Sequence, residues 1–129
     1  MSAQDAGLAF LEANKTKEGV HTTASGLQYK IIEEGSGAKP AASNTVEVHY
    51  RGTHISGAEF DSSYARNQPA QFPLNAVISG WTEGVQLMSE GSKFQFYIPS
   101  ELAYGERDIP GIPGNSVLIF DVELLKIMS

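Results

Sequence analysis

Apolar and polar residues alternate in four stretches of the chain, and each alternation predicts a strand with one face turned inward. Leu27, Tyr29 and Ile31 alternate with Gln28, Lys30 and Ile32, and Val46, Val48 and Tyr50 alternate with Glu47, His49 and Arg51. Phe94, Phe96 and Ile98 alternate with Gln95 and Tyr97, and Leu118, Phe120, Val122 and Leu124 mark a long last strand. Ser56-Gly57 reads as a turn after the second of these, with Glu59 to Ser62 continuing as a further strand whose Phe60 points inward. Pro99 ends the strand before it, because proline has no N–H to give to a ladder.

The period changes between Val77 and Met88. Ile78, Trp81, Val85 and Met88 recur at helical spacing on one face, around the single tryptophan of the chain. This is the one compact helix of the second half, and strands flank it. Near the start, Ser2 and Asp5 have the spacing of a capping box, and Leu8 and Leu11 share a face with Phe10 beside it, until Asn14. So short a helix is marginal alone and needs a surface to dock on.

Polar and glycine-rich segments separate these elements. Lys15 to Ser25 reads as a linker. Gly35 to Pro40 is a break, and Tyr64 to Ala70, with Pro69, is a loop. Tyr104 to Asn115 carries three glycines and two prolines, too irregular for a strand or helix. An ordered surface loop of that length is often functional. The tally is about five strands around one short helix with hairpin-like connections. That is an antiparallel α+β domain whose helix covers the concave face of the sheet.

Composition narrows the chemistry. At 129 residues, 41% hydrophobic and 19% charged, the chain suits one soluble domain with a core of its own. A formal charge of -6 argues against a nucleic-acid surface, which needs clustered Lys and Arg. No apolar run is long enough to span a membrane. The first residues lack the basic and apolar regions of a secretory signal, so the expected compartment is cytoplasmic as written, or periplasmic for a trimmed mature form. With no cysteine, disulfides, thiolate nucleophiles and Cys-ligated metals are excluded. His21, His49 and His54 have no metal-ligand spacing, and His49 reads as a hydrogen-bonded structural residue. Ser62-Ser63 beside Asp61 lacks a nucleophile elbow. Glu59 and Asp61, two apart on one strand, are expected to share a face, where paired carboxylates can do acid–base work, although one of them is more often simply solvated. Taken alone, Trp81 is either a core residue or the floor of a pocket.

Taken in order, the segments are similar to one family. Val48-His49-Tyr50-Arg51-Gly52, Gly57 to Ser63, Val77-Ile78-Ser79-Gly80-Trp81, Met88 to Gly91, Ile98-Pro99, Leu102-Ala103-Tyr104-Gly105 and Leu118 to Leu124 follow one another as in the FKBP-type peptidyl-prolyl cis–trans isomerases. Each motif is weak, but the ordered set, spanning about Gly26 to Ile127, is specific. Phe10-Leu11, Asn14, Lys17 to Val20 and Ser25 to Tyr29 resemble the bacterial macrophage-infectivity-potentiator branch. Members of that branch usually carry a further N-terminal dimerisation region; only a stub precedes the domain here, so a monomer is expected. The division that follows is residues 1–20 as a helical extension and linker and residues 21–129 as the isomerase domain.

The resemblance implies a bent antiparallel sheet of five to six strands wrapped around one short helix, with a short N-terminal helical extension. It also implies a rotamase that turns X-Pro bonds in peptides and unfolded proteins and binds tacrolimus- and rapamycin-type macrolides. No cofactor and no metal are implied. Asp61, Tyr104, Tyr50 and Phe120 would be catalytic. Phe60, Phe72, Val77, Ile78 and Trp81 would bind substrate, with Ile109 and Ile112 reaching in from the flap loop. Ala70 stands where some members have an aromatic, which would open one wall. Glu106 to Asn115 is one residue shorter than in familiar eukaryotic members. The alternative is a silent proline-binding module or holdase chaperone using the same cleft.

Overall fold

The protein, described by a computed structural model over residues 3–128, contains helix α1 (Ala3–Asn14), seven strands and helix α2 (Ser79–Val85). The strands are β1 (Val20–Thr22), β2 (Gln28–Glu33), β3 (Thr45–His54), β4 (Glu59–Ser62), β5 (Ala70–Pro73), β6 (Lys93–Ile98) and β7 (Leu118–Ile127). They form one sheet in the order β1-β2-β6-β7-β3-β4, with β5 also paired to β3 and every pairing antiparallel. The architecture is the α+β one that the alternation predicts. Strand β3 is the hinge of the layout. One edge pairs with β7 from Val46 to His54, while the other takes β5 opposite Thr45–Val48 and β4 opposite Arg51–Thr53.

The inward residues of β3, β6 and β7 are the ones that the alternation selects. Val46, Val48, Phe94, Phe96, Ile98, Leu118, Val122 and Leu124 are buried, and Trp81, Val85 and Met88 pack against them. Burial of these side chains supplies the main stabilising term. Helix α2 could not stand alone, because seven residues with two glycines have poor helix propensity. The glycines are needed for contact. A Cβ on Gly80 would lie 2.6 Å from Ile98 Cγ2, and one on Gly84 would lie 2.6 Å from Phe96 Cε1. Their absence lets the helix backbone settle onto β6.

Four expectations change. The linker from Lys15 to Ser25 contains β1, which pairs with β2 through Val20–Lys30, His21–Tyr29 and Thr22–Gln28. Strand β5, unforeseen, forms where the chain returns from the Tyr64 loop to the edge of β3. On β2 only Gln28 is buried, with Leu27 just before it. Ile31 and Ile32 are exposed, because they lie beyond the reach of β1 and beside an irregularity in the β2–β6 ladder. Helix α1 docks, but not through Leu8, which is 56% exposed. Its Asn14 is buried and donates from Nδ2 to Gln28 Oε1 at 2.8 Å, and Gln28 Nε2 donates to Leu11 O at 3.0 Å. Phe10 lies against Tyr97, and a Cβ on Gly7 would meet Val117. Ser2, the expected cap, lies outside the described residues.

Candidate active site

A cavity of about 550 Å³ opens between α2, the inner face of the sheet and the segment that follows β6. Nine of the eleven residues proposed from sequence line it: Tyr50, Phe60, Asp61, Phe72, Val77, Ile78, Trp81, Tyr104 and Phe120. Trp81 is buried at the floor. Tyr50, Phe72 and Phe120 surround its ring edge to face, with centroids 5.4, 5.5 and 5.4 Å away and interplanar angles of 85°, 83° and 89°. Phe60 meets Phe120 at 5.5 Å and 88°. These T-shaped contacts match the ring quadrupoles and fix each wall by its neighbour. Gly52 makes the Phe60–Phe120 contact possible, since a Cβ there would lie 2.6 Å from Phe60 Cζ and 2.9 Å from Phe120 Cε1.

A bulge delivers two consecutive residues of β4 to this cavity. Gly52 pairs with Asp61 and Thr53 with Glu59, so Phe60 has no partner and the strand is re-aimed at that point. The bulge overturns the expectation that Glu59 and Asp61 share a face. Glu59 turns to the outer side and accepts a hydrogen bond from Arg51 Nε at 2.7 Å. Asp61 faces the cavity with Phe60.

Both oxygens of Asp61 are engaged. Tyr50 Oη donates to Oδ2 at 2.5 Å, while Arg66 Nη1 and the Ser62 amide donate to Oδ1 at 2.6 and 2.9 Å. Arg66 Nη2 also donates to Tyr50 Oη at 2.9 Å, and its guanidinium lies 5.6 Å from the Tyr50 ring centre. Burial pushes the Asp61 carboxyl up, but the hydrogen bonds from Tyr50 and Arg66 outweigh it and hold the group below its ordinary value. Tyr50 is raised by burial first and by its bond to Asp61 second. At neutral pH the wall thus carries an ionised carboxylate and a protonated phenol. Tyr104 differs, as its hydroxyl makes no hydrogen bond among the described residues.

Ile109 and Ile112 are not on the cavity lining. They close a tight turn on each other, Ile109 N to Ile112 O at 3.0 Å and Ile112 N to Ile109 O at 2.9 Å, with Ile112 buried in the core. Arg107 and Ala103 line the cavity from this side instead, and Ala76 and Ser79 from the α2 side. Ala70 sits on β5 opposite Val48, packed on the core and off the lining. Arg66, five residues beyond Asp61 in a polar loop, carried no signal in the sequence beyond its charge. His49 has the structural role expected of it, 2.8 Å from Ser63 Oγ and stacked on Tyr64. Among the described residues no group of three or more His, Asp and Glu is placed to hold a metal ion.

The model of the family described as FKBP-type peptidyl-prolyl cis–trans isomerase matches residues 36–125. The chain belongs to this family. A second model, for the domain amino-terminal to such isomerases, matches residues 1–31. The chain is 60% identical over 124 residues to the FKBP-type isomerase FkpA of Aeromonas hydrophila, covering 96% of this chain and 46% of that protein. It is 50% identical to the isomerase Mip of Coxiella burnetii over 92% of this chain and 52% of that protein, in keeping with the macrophage-infectivity-potentiator-like branch. The crystal structure of FkpA from Escherichia coli superposes with a TM-score of 0.94 at 47% identity, covering 97% of this chain and 59% of that one. The chain thus spans about half the length of the curated relatives it matches.

Proposed function

We propose that this FKBP-family chain accelerates cis–trans rotation of X-Pro bonds in peptides and unfolded proteins, within the cavity floored by Trp81. The observation that carries the reading is the makeup of that cavity, four aromatic walls on an aromatic floor with one clamped carboxylate. Rotation must break amide resonance against a barrier of about 18–20 kcal/mol. Turnover at about 10–1000 per second needs a reduction of about 4–7 kcal/mol from the uncatalysed rate. The planar amide carries more charge on its oxygen than the twisted one, so an apolar, water-poor site favours twisting.

The polar groups divide the remaining work. Trp81, Phe72 and Phe60 hold the proline ring, with Val77 and Ile78 beside it. Tyr104 Oη, without a hydrogen bond among the described residues, donates to a substrate backbone carbonyl. Asp61 is ionised and clamped, which suits a fixed negative charge that disfavours charge on the planar amide's oxygen, and not a proton donor. Tyr50 and Arg66 hold it in place. The same cavity is the binding site for tacrolimus- and rapamycin-type macrolides. The test is a protease-coupled assay on a Leu-Pro peptide at micromolar protein, repeated with tacrolimus. Acceleration that tacrolimus abolishes supports the reading. Binding of the peptide without acceleration would sink it in favour of a silent proline-binding module or holdase.

A further inference from the structure

The segment from Tyr104 to Asn115 brings Tyr104 and Arg107 to the cavity and packs Tyr104 and Ile109 on the core, yet among the described residues few hydrogen bonds tie it to the rest of the fold. Its backbone bonds run within itself or to Ser100: Ile109 with Ile112, Arg107 to Tyr104, Asn115 to Gly105 and Gly105 to Ser100. Asp108 Oδ1 accepts from the Gly114 amide, again within the segment. Ile112 plugs it into the core. Among the described residues one hydrogen bond joins it to the sheet: His54 Nε2 donates to Gly111 O at 2.8 Å.

The backbone of His54 is itself tied to the sheet and the turn. It is the last residue of β3, paired with Leu118 of β7. Its amide donates to Ala58 O at 2.9 Å, and its carbonyl accepts from the Gly57 amide at 2.9 Å across the β3–β4 turn. Its ring lies 5.0 Å from that of Phe60, a cavity wall. The imidazole therefore spans two sides of the site, resting on the Phe60 wall and gripping the opposite loop at its apex, where Gly111 adopts φ 82°.

We propose that His54 is a positioning residue for the isomerase, a latch that holds the Tyr104–Asn115 segment over the cavity so that Tyr104 and Arg107 stand at fixed distances from Phe60. In the sequence His54 stands out only as a histidine without metal-ligand spacing. The inference rests on the isomerase reading for its consequence in catalysis, although the latch itself is a property of the fold. A hydrogen bond of this kind shifts an equilibrium by about fivefold. Its loss raises the population of the displaced loop, and apparent affinity falls with the competent fraction.

Two variants separate bond from packing. His54→Phe keeps a ring on Phe60 without a donor, and His54→Gln restores a donor of similar reach. For a Leu-Pro peptide, His54→Phe is expected to raise KM by up to about fivefold with a smaller change in kcat, and His54→Gln to recover most of it. Amide exchange at Ile109 and Ile112 is expected to quicken by about the same factor in His54→Phe but not in His54→Gln. Wild-type KM and exchange in His54→Phe would overturn the latch. So would equal impairment in both variants, since restoring the donor would then have restored nothing. If His54→Phe does not fold, the wild type decides: a slowly exchanging His54 Nε2 proton supports the bond, and a freely exchanging one overturns it. A wild type that does not accelerate Leu-Pro rotation would fail the isomerase reading, and the exchange data would still decide the latch.

Discussion

Replacing Tyr50 by phenylalanine tests the clamp on Asp61. The substitution removes one oxygen, which donates to Asp61 Oδ2 at 2.5 Å and accepts from Arg66 Nη2 at 2.9 Å. The ring, buried among Trp81, Phe72 and Phe120, stays, so no cavity opens. Hydrogen bonds to charged groups are worth about 1.5–3 kcal/mol when buried. The side chains of Asp61 and Arg66 are 41% and 50% exposed, so water replaces much of what is lost and the expected destabilisation is about 1 kcal/mol. For a domain of this size that lowers Tm by about 4 °C. The sign with pH follows from the direction of the Asp61 shift. Burial raises that carboxyl, the bonds from Tyr50 and Arg66 more than reverse it, and its folded value ends below the unfolded one. Its contribution to stability is therefore present above the unfolded value and lost as pH falls through the folded value. Without the Tyr50 hydroxyl the folded value rises, so the gap between wild type and variant is widest near neutrality and narrows in acid. Urea unfolding followed by Trp81 fluorescence, at neutral and acid pH, reads both quantities. Equal stability at neutral pH, or a gap that widens toward acid, would refute the clamp.

Other substitutions probe the site and its support. Asp61→Leu and Phe120→Tyr are each expected to lower kcat/KM by about tenfold while the protein stays folded, corresponding to about 1.4 kcal/mol of transition-state stabilisation; full activity in both would show that their roles are wrongly assigned. Gly84→Ala sets a Cβ 2.6 Å from the buried Phe96 ring, and the overpacking outweighs the gain in helix propensity, for a net loss of about 1–2 kcal/mol by urea unfolding. Asn14→Leu leaves buried Gln28 Oε1 without its donor and is expected to destabilise the docked helix by about 1–2 kcal/mol, seen as faster amide exchange along α1.

Strands β3, β6 and β7 were legible because each buries one face against α2, and such burial writes a period of two into the sequence. Pro99 marked the end of β6 for a covalent reason. The aromatic floor and walls were legible through the ordered motifs, since Trp81 alone fits a core as well as a pocket. What escaped has little apolar signature. Strand β1 is three residues, Val-His-Thr, held by main-chain bonds to β2. Helix α1 docks through Gly7 and the polar Asn14, so its apolar Leu8 pointed to the wrong face. The bulge at Phe60 arises from the pairing of β4 with β3, and no local pattern separates it from a regular strand. Arg66 reaches Asp61 by folding back over a loop, and Arg107 replaces Ile109 and Ile112 at the cavity because their turn points its apolar side chains to the core.

The most direct test places turnover and cavity in one sample. A Leu-Pro peptide mixed with ¹⁵N-labelled protein is followed by exchange spectroscopy on the peptide and by the Trp81 indole N–H on the protein, a buried donor with no partner among the described residues. Catalysis within the cavity predicts cis–trans exchange peaks from the peptide together with a shifted or broadened Trp81 indole signal; tacrolimus removes the exchange peaks, and Asp61→Leu weakens them about tenfold. Exchange peaks that persist while the Trp81 signal stays unmoved would place the chemistry elsewhere and contradict the assignment of this cavity.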